Sequence, residues 1–239
     1  MTFIEKKNFY RRVFIMGLFL LLIVIIASAN VGVADISFKQ AVFIVISKIP
    51  ILNNFGSLDG IKSTSVIIML NLRLPRILLS CLVGAALSVV GTSFQGIFKN
   101  PMADPFVLGV SSGAALGATM TMVFLKNIHI FGMSMVALSA FIGAIITTFL
   151  VYNIARVGTK VPVTTLLLAG IALNYLLSSI ISLMMTFNRE NIEEIVMWTM
   201  GSFSTANWEE VILLFVIVVP SILFISIFSR DLKDRKSVV

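Results

Sequence analysis

The sequence predicts an all-α, polytopic membrane protein with about six transmembrane helices, and three observations support this fold class. Of its 239 residues, 58% are hydrophobic and 12% are charged, whereas soluble domains carry about 25% charged residues. The mean hydropathy is +1.05. Six stretches without a charged residue are each long enough to cross a bilayer, which takes about 20 apolar residues. We therefore interpret residues 1–239 as a single transmembrane domain.

The six predicted spans account for most of the chain. They are Val13–Val33, Ile77–Phe98, Val107–Leu125, Phe131–Ala155, Val163–Phe187 and Val211–Phe228. The first span follows a basic segment and contains an Ala-Ser-Ala sequence at 27–29, as signal peptides do. Its apolar stretch is long for a signal peptide, which favours an uncleaved helix.

The segments between the spans also carry structural signals. Residues 34–72 form a long connection in which Ile36–Ser47 is too short to span and predicts an interfacial helix. Asn53–Ser63 is a turn-rich loop. Trp198 and Trp208 lie between the last two spans. Two interpretations are open for them: interfacial aromatic anchors, or a short or re-entrant helix in an outer vestibule.

The charge balance predicts orientation. The chain carries 18 Lys and Arg against 11 Asp and Glu, a net charge of +7. In a soluble protein this excess would suggest nucleic-acid binding, but in a membrane protein Lys and Arg collect in cytoplasmic loops. With the N-terminus inside, 11 of the basic residues lie inside and seven outside. We predict that both termini are cytoplasmic and that the chain binds no nucleic acid.

Several kinds of chemistry are disfavoured by residue counts. Cys81 and His129 are the only cysteine and histidine, so an internal disulfide is excluded and we expect no metal site. A phosphate-binding loop ending in GK[ST] does not occur, so any ATP hydrolysis belongs to another chain. We expect no cofactor in this chain.

Two arginines stand near the predicted start of the second span. Arg73 and Arg76 are three residues apart, so a helix would place them on one side, and Pro75 between them suits a helix N-terminus. Cations at that end oppose the helix dipole. A carboxylate partner or snorkelling toward lipid headgroups would explain them, and the residues alone do not separate these alternatives.

Small and polar residues mark the second and third spans. We expect five glycines to allow close helix packing: Gly84, Gly91, Gly109, Gly113 and Gly117. Gln95 lies near the inner end of the second span. Two dipeptides, Asn100-Pro101 and Asp104-Pro105, bracket a tight inner turn. Asp104 could cap the next helix or pair with Lys99.

These stretches together resemble one family. LRLPR, followed by VGAALSVVGTSFQGIFKNPMADPFVLGVSSGAALGA, is similar to the FecCD family of ABC-transporter permeases. Thr165–Met185 (TLLLAGIALNYLLSSIISLMM) and Met197–Val211 (MWTMGSFSTANWEEV), which contains Trp198 and Gly201, resemble further family segments. The resemblance implies the membrane subunit of a bacterial importer for an iron–siderophore, haem or cobalamin, located in the plasma membrane.

The family resemblance also implies partners and residue roles. It predicts a second permease subunit, identical or closely related, two cytoplasmic ATPase subunits, and an extracellular or periplasmic substrate-binding protein, all around a chain embedded in lipid. Arg73 and Arg76 fall at the family's docking arginines. The other motif residues are expected to line the translocation path or to be structural: Gln95, Asn100, Pro101, Asp104, Pro105, Trp198 and Gly201.

One departure from the family pattern concerns length. Family members have about ten spans and a cytoplasmic coupling segment after the sixth, where this sequence reads SRDLKDRKSVV. The expectation is therefore the N-terminal part of a permease. The alternatives are a transport-incompetent fragment, the product of a premature stop, or half of a split permease. A secondary transporter is disfavoured because the predicted spans lack ionisable groups.

Overall fold

The chain is helical in the computed structural model, which describes residues 3–32, 34, 36–48, 60–100, 104–125, 129–130 and 133–228. The α-helices are α1 (Phe3–Asn30), α2 (Phe38–Ile46), α3 (Ser63–Ile67), α4 (Leu74–Phe98), α5 (Val110–Phe124), α6 (Met135–Ala155), α7 (Val163–Phe187), α8 (Ile192–Met200) and α9 (Trp208–Ile227). A π-helical turn, Ile68–Arg73, joins α3 to α4, and 3₁₀ turns cover Pro105–Leu108 and Arg189–Asn191. Two short antiparallel strands, β1 (His129–Ile130) and β2 (Met133–Ser134), precede α6.

Five helical segments in the described part of the chain are long and apolar enough to cross a membrane. They are Asn8–Asn30, Ser63–Phe98, Met135–Ala155, Val163–Phe187 and Trp208–Ile227. They correspond to five of the six predicted spans, and the all-helical membrane fold is confirmed. The remaining prediction, Val107–Leu125, becomes a 3₁₀ turn followed by the 15-residue helix α5. Gly109 separates the two with φ +78°, a left-handed conformation that glycine adopts without steric cost.

The second predicted span requires a correction. Its helix begins at Ser63 and runs without interruption through the π-helical turn to Phe98, a length of 36 residues. Pro75 therefore lies inside the helical segment and does not start it. Sequence reasoning placed the start too late because a proline beside two arginines has the composition of a helix N-terminus. The structure accommodates this proline by widening the turn before it.

A short helix, α2, is present within the segment predicted to be interfacial. Ser37 caps it through a reciprocal pair of hydrogen bonds: its hydroxyl accepts from the Gln40 N–H, and the Gln40 side chain accepts from the Ser37 N–H. Several predicted features lie outside the described residues. They are the end of the first span at Val33, most of the loop 53–63, Pro101 and the segment 229–239.

The chain divides into two compact units, which are described separately. Unit 1 comprises residues 1–85 and 203–220, and its apolar core forms around Ile36, Ala41, Ile44 and Met69. Unit 2 comprises residues 86–202 and 221–239. It has one apolar cluster around Ala118, Met122, Ala140, Ile181 and Ile195, and another around Leu108, Val151, Ala155 and Leu166.

Within unit 2, α5 and α6 approach each other closely at small residues. A Cβ built on Gly113 would collide with the Thr147 side chain and lie 2.6 Å from the Gly143 carbonyl oxygen. A Cβ on Gly117 would collide with the Ser139 carbonyl. Backbone-to-backbone packing of this kind is how membrane helices associate, since lipid supplies no hydrophobic force between them.

Candidate functional site

A groove with a row of polar side chains runs along one face of unit 2, and we call it the polar groove. It has a volume of about 640 Å³ and is lined by residues of α5, α7 and α8. Its polar lining consists of Ser111, Ser112, Asn174, Ser178, Ser182 and Thr199. Apolar side chains, including Ile181, Met185 and Trp198, complete the wall. A row of hydroxyl and amide groups in an apolar helical bundle can hydrate a path or bind a polar solute through weak hydrogen bonds.

Asn174 makes hydrogen bonds to two other residues of the groove wall. Its Nδ2 donates to the Phe106 carbonyl at 3.1 Å, and its Oδ1 accepts from the Ser112 hydroxyl at 2.5 Å. One side chain of α7 therefore holds both the 3₁₀ turn before α5 and the first turn of α5. The turn itself is capped by Asp104, whose carboxylate accepts from the Phe106 N–H at 2.8 Å. The capping alternative for Asp104 is the one observed.

Sequence reasoning missed the groove, although a signal was available. Asn174, Ser178 and Ser182 follow an i, i+4, i+8 pattern in an otherwise apolar span, which places them on one helix face. That periodicity predicts a polar stripe. The sequence could not tell that α5 and α8 would leave this stripe uncovered.

The predicted docking residue Arg73 is buried in unit 1, with 8% of its surface exposed. Its Nη1 donates to the Ala29 carbonyl and its Nη2 to the Ala34 carbonyl, both at 2.7 Å. Ala29 lies in the last turn of α1, the negative end of that helix dipole. The structure thus gives Arg73 main-chain partners inside the unit, where the sequence predicts an exposed residue at a helix mouth.

Arg76 is only half-buried and has a different environment. Its Nη2 donates to the Ser204 carbonyl at 2.5 Å, which fastens the segment before α9 to α4. Its Nε is buried and has no hydrogen-bond partner among the described residues. Arg73 and Arg76 both line a cavity of about 470 Å³ in unit 1, together with Ser28, Val31, Gly32 and Leu72.

Trp208 is the third residue that makes a long-range bond to the main chain in unit 1. Its indole Nε1 donates to the Leu70 carbonyl at 3.0 Å. This contact lies in the π-helical turn, where the Leu74 N–H donates five residues back to Met69. Three side chains, those of Arg73, Arg76 and Trp208, therefore donate to backbone carbonyls that are distant in the sequence.

The remaining predicted residues are spread over several places. Gln95 is exposed on α4, Asn100 follows that helix, and Pro105 starts the 3₁₀ turn. Trp198 borders the polar groove, and Gly201 ends α8 with φ +75°. A Cβ on Gly84 or Gly91 would meet nothing within 4 Å in the described structure. Across the described residues, no group of three or more His, Cys, Asp or Glu side chains could hold a metal.

Long apolar helices, together with a hydroxyl-lined groove within unit 2, are typical of a membrane transport protein. The FecCD transport family matches residues 20–234, so the chain belongs to this family of ABC-transporter permeases. Its members are transport subunits rather than enzymes. The helices and the family together make the chain an integral membrane protein.

Individual relatives agree with this assignment. The chain is 35% identical over 232 residues to the ABC transporter permease protein YvrB of Bacillus subtilis, covering 97% of this chain and 65% of the relative. It is 33% identical to the hemin transport system permease protein HmuU of Yersinia pestis, covering 91% and 61%. It is 37% identical to the cobalamin import system permease protein BtuC of Halobacterium salinarum, covering 72% and 46%.

A solved structure shares the fold. It is an ABC transporter of the metal-chelate type in an inward-facing conformation, 30% identical, with a TM-score of 0.66 over 91% of this chain and 61% of that one. This chain therefore spans between about half and two thirds of the length of the relatives it matches.

Proposed function

We propose that this chain forms the membrane path of a bacterial ABC importer for a metal chelate: an iron–siderophore, haem or cobalamin. The polar groove is the observation that supports this most directly. Its volume of about 640 Å³ falls in the range of sites that hold drug-sized molecules. Relatives named for hemin, cobalamin and iron chelatin import support the same class, and one relative is named for molybdate.

The chemistry of the groove favours a bulky chelate over a bare ion. Within the described part of unit 2, none of the groove-lining residues carries a charge. Hydroxyl and amide groups offer weak, adaptable hydrogen bonds, which suit a solute whose metal is already coordinated by its own ligand. A naked metal ion would need carboxylate, imidazole or thiolate groups to replace its hydration shell.

The proposed assembly follows from the family. In it, the groove faces a second permease subunit, two cytoplasmic ATPase subunits drive alternating access, and a substrate-binding protein docks on the outer side. The N-terminus is cytoplasmic, as the distribution of Lys and Arg predicts.

Docking on the outer side is assigned chiefly to Arg76. Its side chain is only half-buried, so the positive charge of its guanidinium can attract a carboxylate of the binding protein. Arg73 acts through the local fold, because its donors on both terminal nitrogens are engaged by Ala29 and Ala34. This division of roles refines the sequence-based prediction, which treats the two arginines as equivalent.

Chelate uptake by cells tests the transport proposal. The gene would be deleted in its own bacterium, and uptake of ⁵⁵Fe-siderophore, haem and ⁵⁷Co-cobalamin compared before and after complementation with the 239-residue chain. Loss of uptake for one class, restored by complementation, is expected. Unchanged uptake of all three would refute the substrate class. Restoration only with a second membrane chain would identify a split permease.

The docking assignment has its own test. Arg76→Glu should weaken binding-protein affinity strongly at low salt, where the attraction is least screened. The loss should exceed that of Lys160→Glu, a control that removes a positive charge from the exposed turn between α6 and α7. Removing one partner of a buried, hydrogen-bonded charge pair costs about 2–5 kcal/mol, and a rim pair costs less. Equal affinities for both variants would show that Arg76 is not a docking residue.

A further inference from the structure

The π-helical turn ends at a proline, which removes one donor from its hydrogen-bond pattern. Leu74 donates its N–H to Met69, five residues earlier. The next bond in this pattern would join the nitrogen of Pro75 to the carbonyl of Leu70, but proline has no N–H. An unsatisfied carbonyl is costly where water is scarce, so a donor from elsewhere would stabilise the half-buried Leu70 position.

The structure supplies that donor from the far end of the sequence. Trp208 lies 138 residues after Leu70, and its indole Nε1 donates to the Leu70 carbonyl at 3.0 Å. The indole has one N–H and no acceptor, so it matches a single free carbonyl. Trp208 is also the first residue of α9, so the bond anchors the start of that helix.

The segment before Trp208 reaches Arg76. The Ser204 carbonyl accepts from Arg76 Nη2, and Ala206, in the same connection, is buried with 5% of its surface exposed. Two side-chain bonds therefore join residues 203–208 to the helix containing Leu70 and Arg76. Trp208 donates one of these bonds to the Leu70 carbonyl, and Arg76 donates the other to the Ser204 carbonyl.

We infer that Trp208 is a positioning residue whose indole N–H replaces the N–H missing at Pro75, and that this bond sets the orientation of Arg76. With the connection held in place, the Ser204 carbonyl fixes one end of the guanidinium. The part of this inference that concerns docking rests on the proposed function. The hydrogen-bond replacement does not depend on it.

A double-mutant cycle tests the replacement. Trp208→Phe keeps an aromatic ring and removes only the N–H, while Pro75→Ala restores a backbone N–H that can bond within the helix. In the wild-type background, Trp208→Phe should lower the thermal midpoint in detergent by about 3–6 °C. In the Pro75→Ala background, the same change should lower it by less than about 1 °C. Trp198→Phe, the matched control, should give the same small effect in both backgrounds.

If Trp208→Phe lowers the thermal midpoint equally in both backgrounds, the inference is wrong. The indole would then not be compensating for the proline. A second measurement guards against variants that fold poorly. The indole ¹⁵N–¹H resonance of Trp208 in the wild-type protein should exchange slowly with solvent. Pro75→Ala should speed that exchange, because the Leu70 carbonyl gains a donor within its own helix. Unaltered exchange would also contradict the inference.

The effect on Arg76 is read from binding-protein affinity. Trp208→Phe should weaken it about 3–10-fold, and Pro75→Ala should restore part of the loss. If Arg76→Glu has no effect on affinity, the docking proposal fails while the thermal cycle still stands. If Arg76→Glu weakens binding but Trp208→Phe does not, docking stands and the positioning of Arg76 by Trp208 is wrong.

Discussion

The guanidinium of Arg73 donates to the carbonyl of Ala29, 44 residues earlier, and so binds the C-terminal end of α1. A second donor on the same side chain reaches Ala34, just beyond that helix. Next to this contact, a Cβ on Gly32 would lie 2.6 Å from Arg73 Nη2. The arginine therefore closes the turn between α1 and the segment leading to α2, and a side chain at residue 32 would displace its guanidinium.

Replacement of Arg73 should destabilise unit 1. Arg73→Met retains most of the aliphatic stem and leaves two carbonyls without donors. Hydrogen bonds to a charged group contribute about 1.5–3 kcal/mol each, so the free energy of unfolding should fall by at least that amount. Reversible SDS titration of the purified protein measures this difference.

Two further variants distinguish the effect of the Arg73 hydrogen bonds from the effects of its charge and of its packing against Gly32. Arg73→Lys keeps the charge but cannot span two carbonyls with a planar fork, so it should recover only part of the loss. Gly32→Ala keeps the arginine and should still destabilise through the close contact with Nη2. Full stability of Arg73→Met would rule out the role of this side chain in closing the turn.

Close packing of α5 on α6 predicts that Gly113→Leu disrupts the fold. Even a Cβ at this position would collide with Thr147, and a leucine adds three more carbons between two helix backbones. Membrane yield and detergent thermostability should fall sharply. Gly84→Leu is the matched control, because a Cβ on Gly84 meets no described atom within 4 Å, and it should have little effect. Similar behaviour of the two variants would argue against the α5–α6 contact.

The Ser112–Asn174 bond predicts energetic coupling between α5 and α7. Double-mutant cycles on polar contacts between membrane helices average about 0.6 kcal/mol and reach about 1.7 kcal/mol. The cycle of Ser112→Ala and Asn174→Ala should give a coupling in that range. Asn174→Ala alone should cost more than Ser112→Ala, because it also abandons the Phe106 carbonyl. Strict additivity of the two changes would show that the bond contributes nothing.

The predicted orientation can be tested with single cysteines. Ser63, at the start of α3, and Thr159, in the turn between α6 and α7, are both exposed. The charge distribution places them on opposite sides of the membrane. After Cys81→Ala, Ser63→Cys should react with an impermeant maleimide in intact cells. Thr159→Cys should react only after the cells are opened. The reverse labelling pattern would invert the proposed topology and remove Arg76 from the outer side.

Local patterns in the sequence were sufficient to predict that most of the long apolar segments are helices. An 18- to 25-residue apolar run has few alternatives in a bilayer, because every backbone polar group must be bonded within the segment. For the same reason, the spans at Met135–Ala155 and Val163–Phe187 could be predicted closely. The cap at Ser37 and the turn at Asp104 are also local, since each depends on residues at most three positions away.

The roles of the polar residues depended on contacts between distant parts of the chain. The sequence predicts an exposed Arg73, because only the fold brings the C-terminal end of α1 to this side chain. Pro75 reads as a helix start because the sequence does not reveal the indole of Trp208, 133 positions later, that satisfies the carbonyl it leaves free. The polar stripe on α7 becomes a groove only because α5 and α8 stand beside it without filling it. Helix formation is decided over about 20 residues, whereas hydrogen-bond partners and cavities are decided by which helices meet.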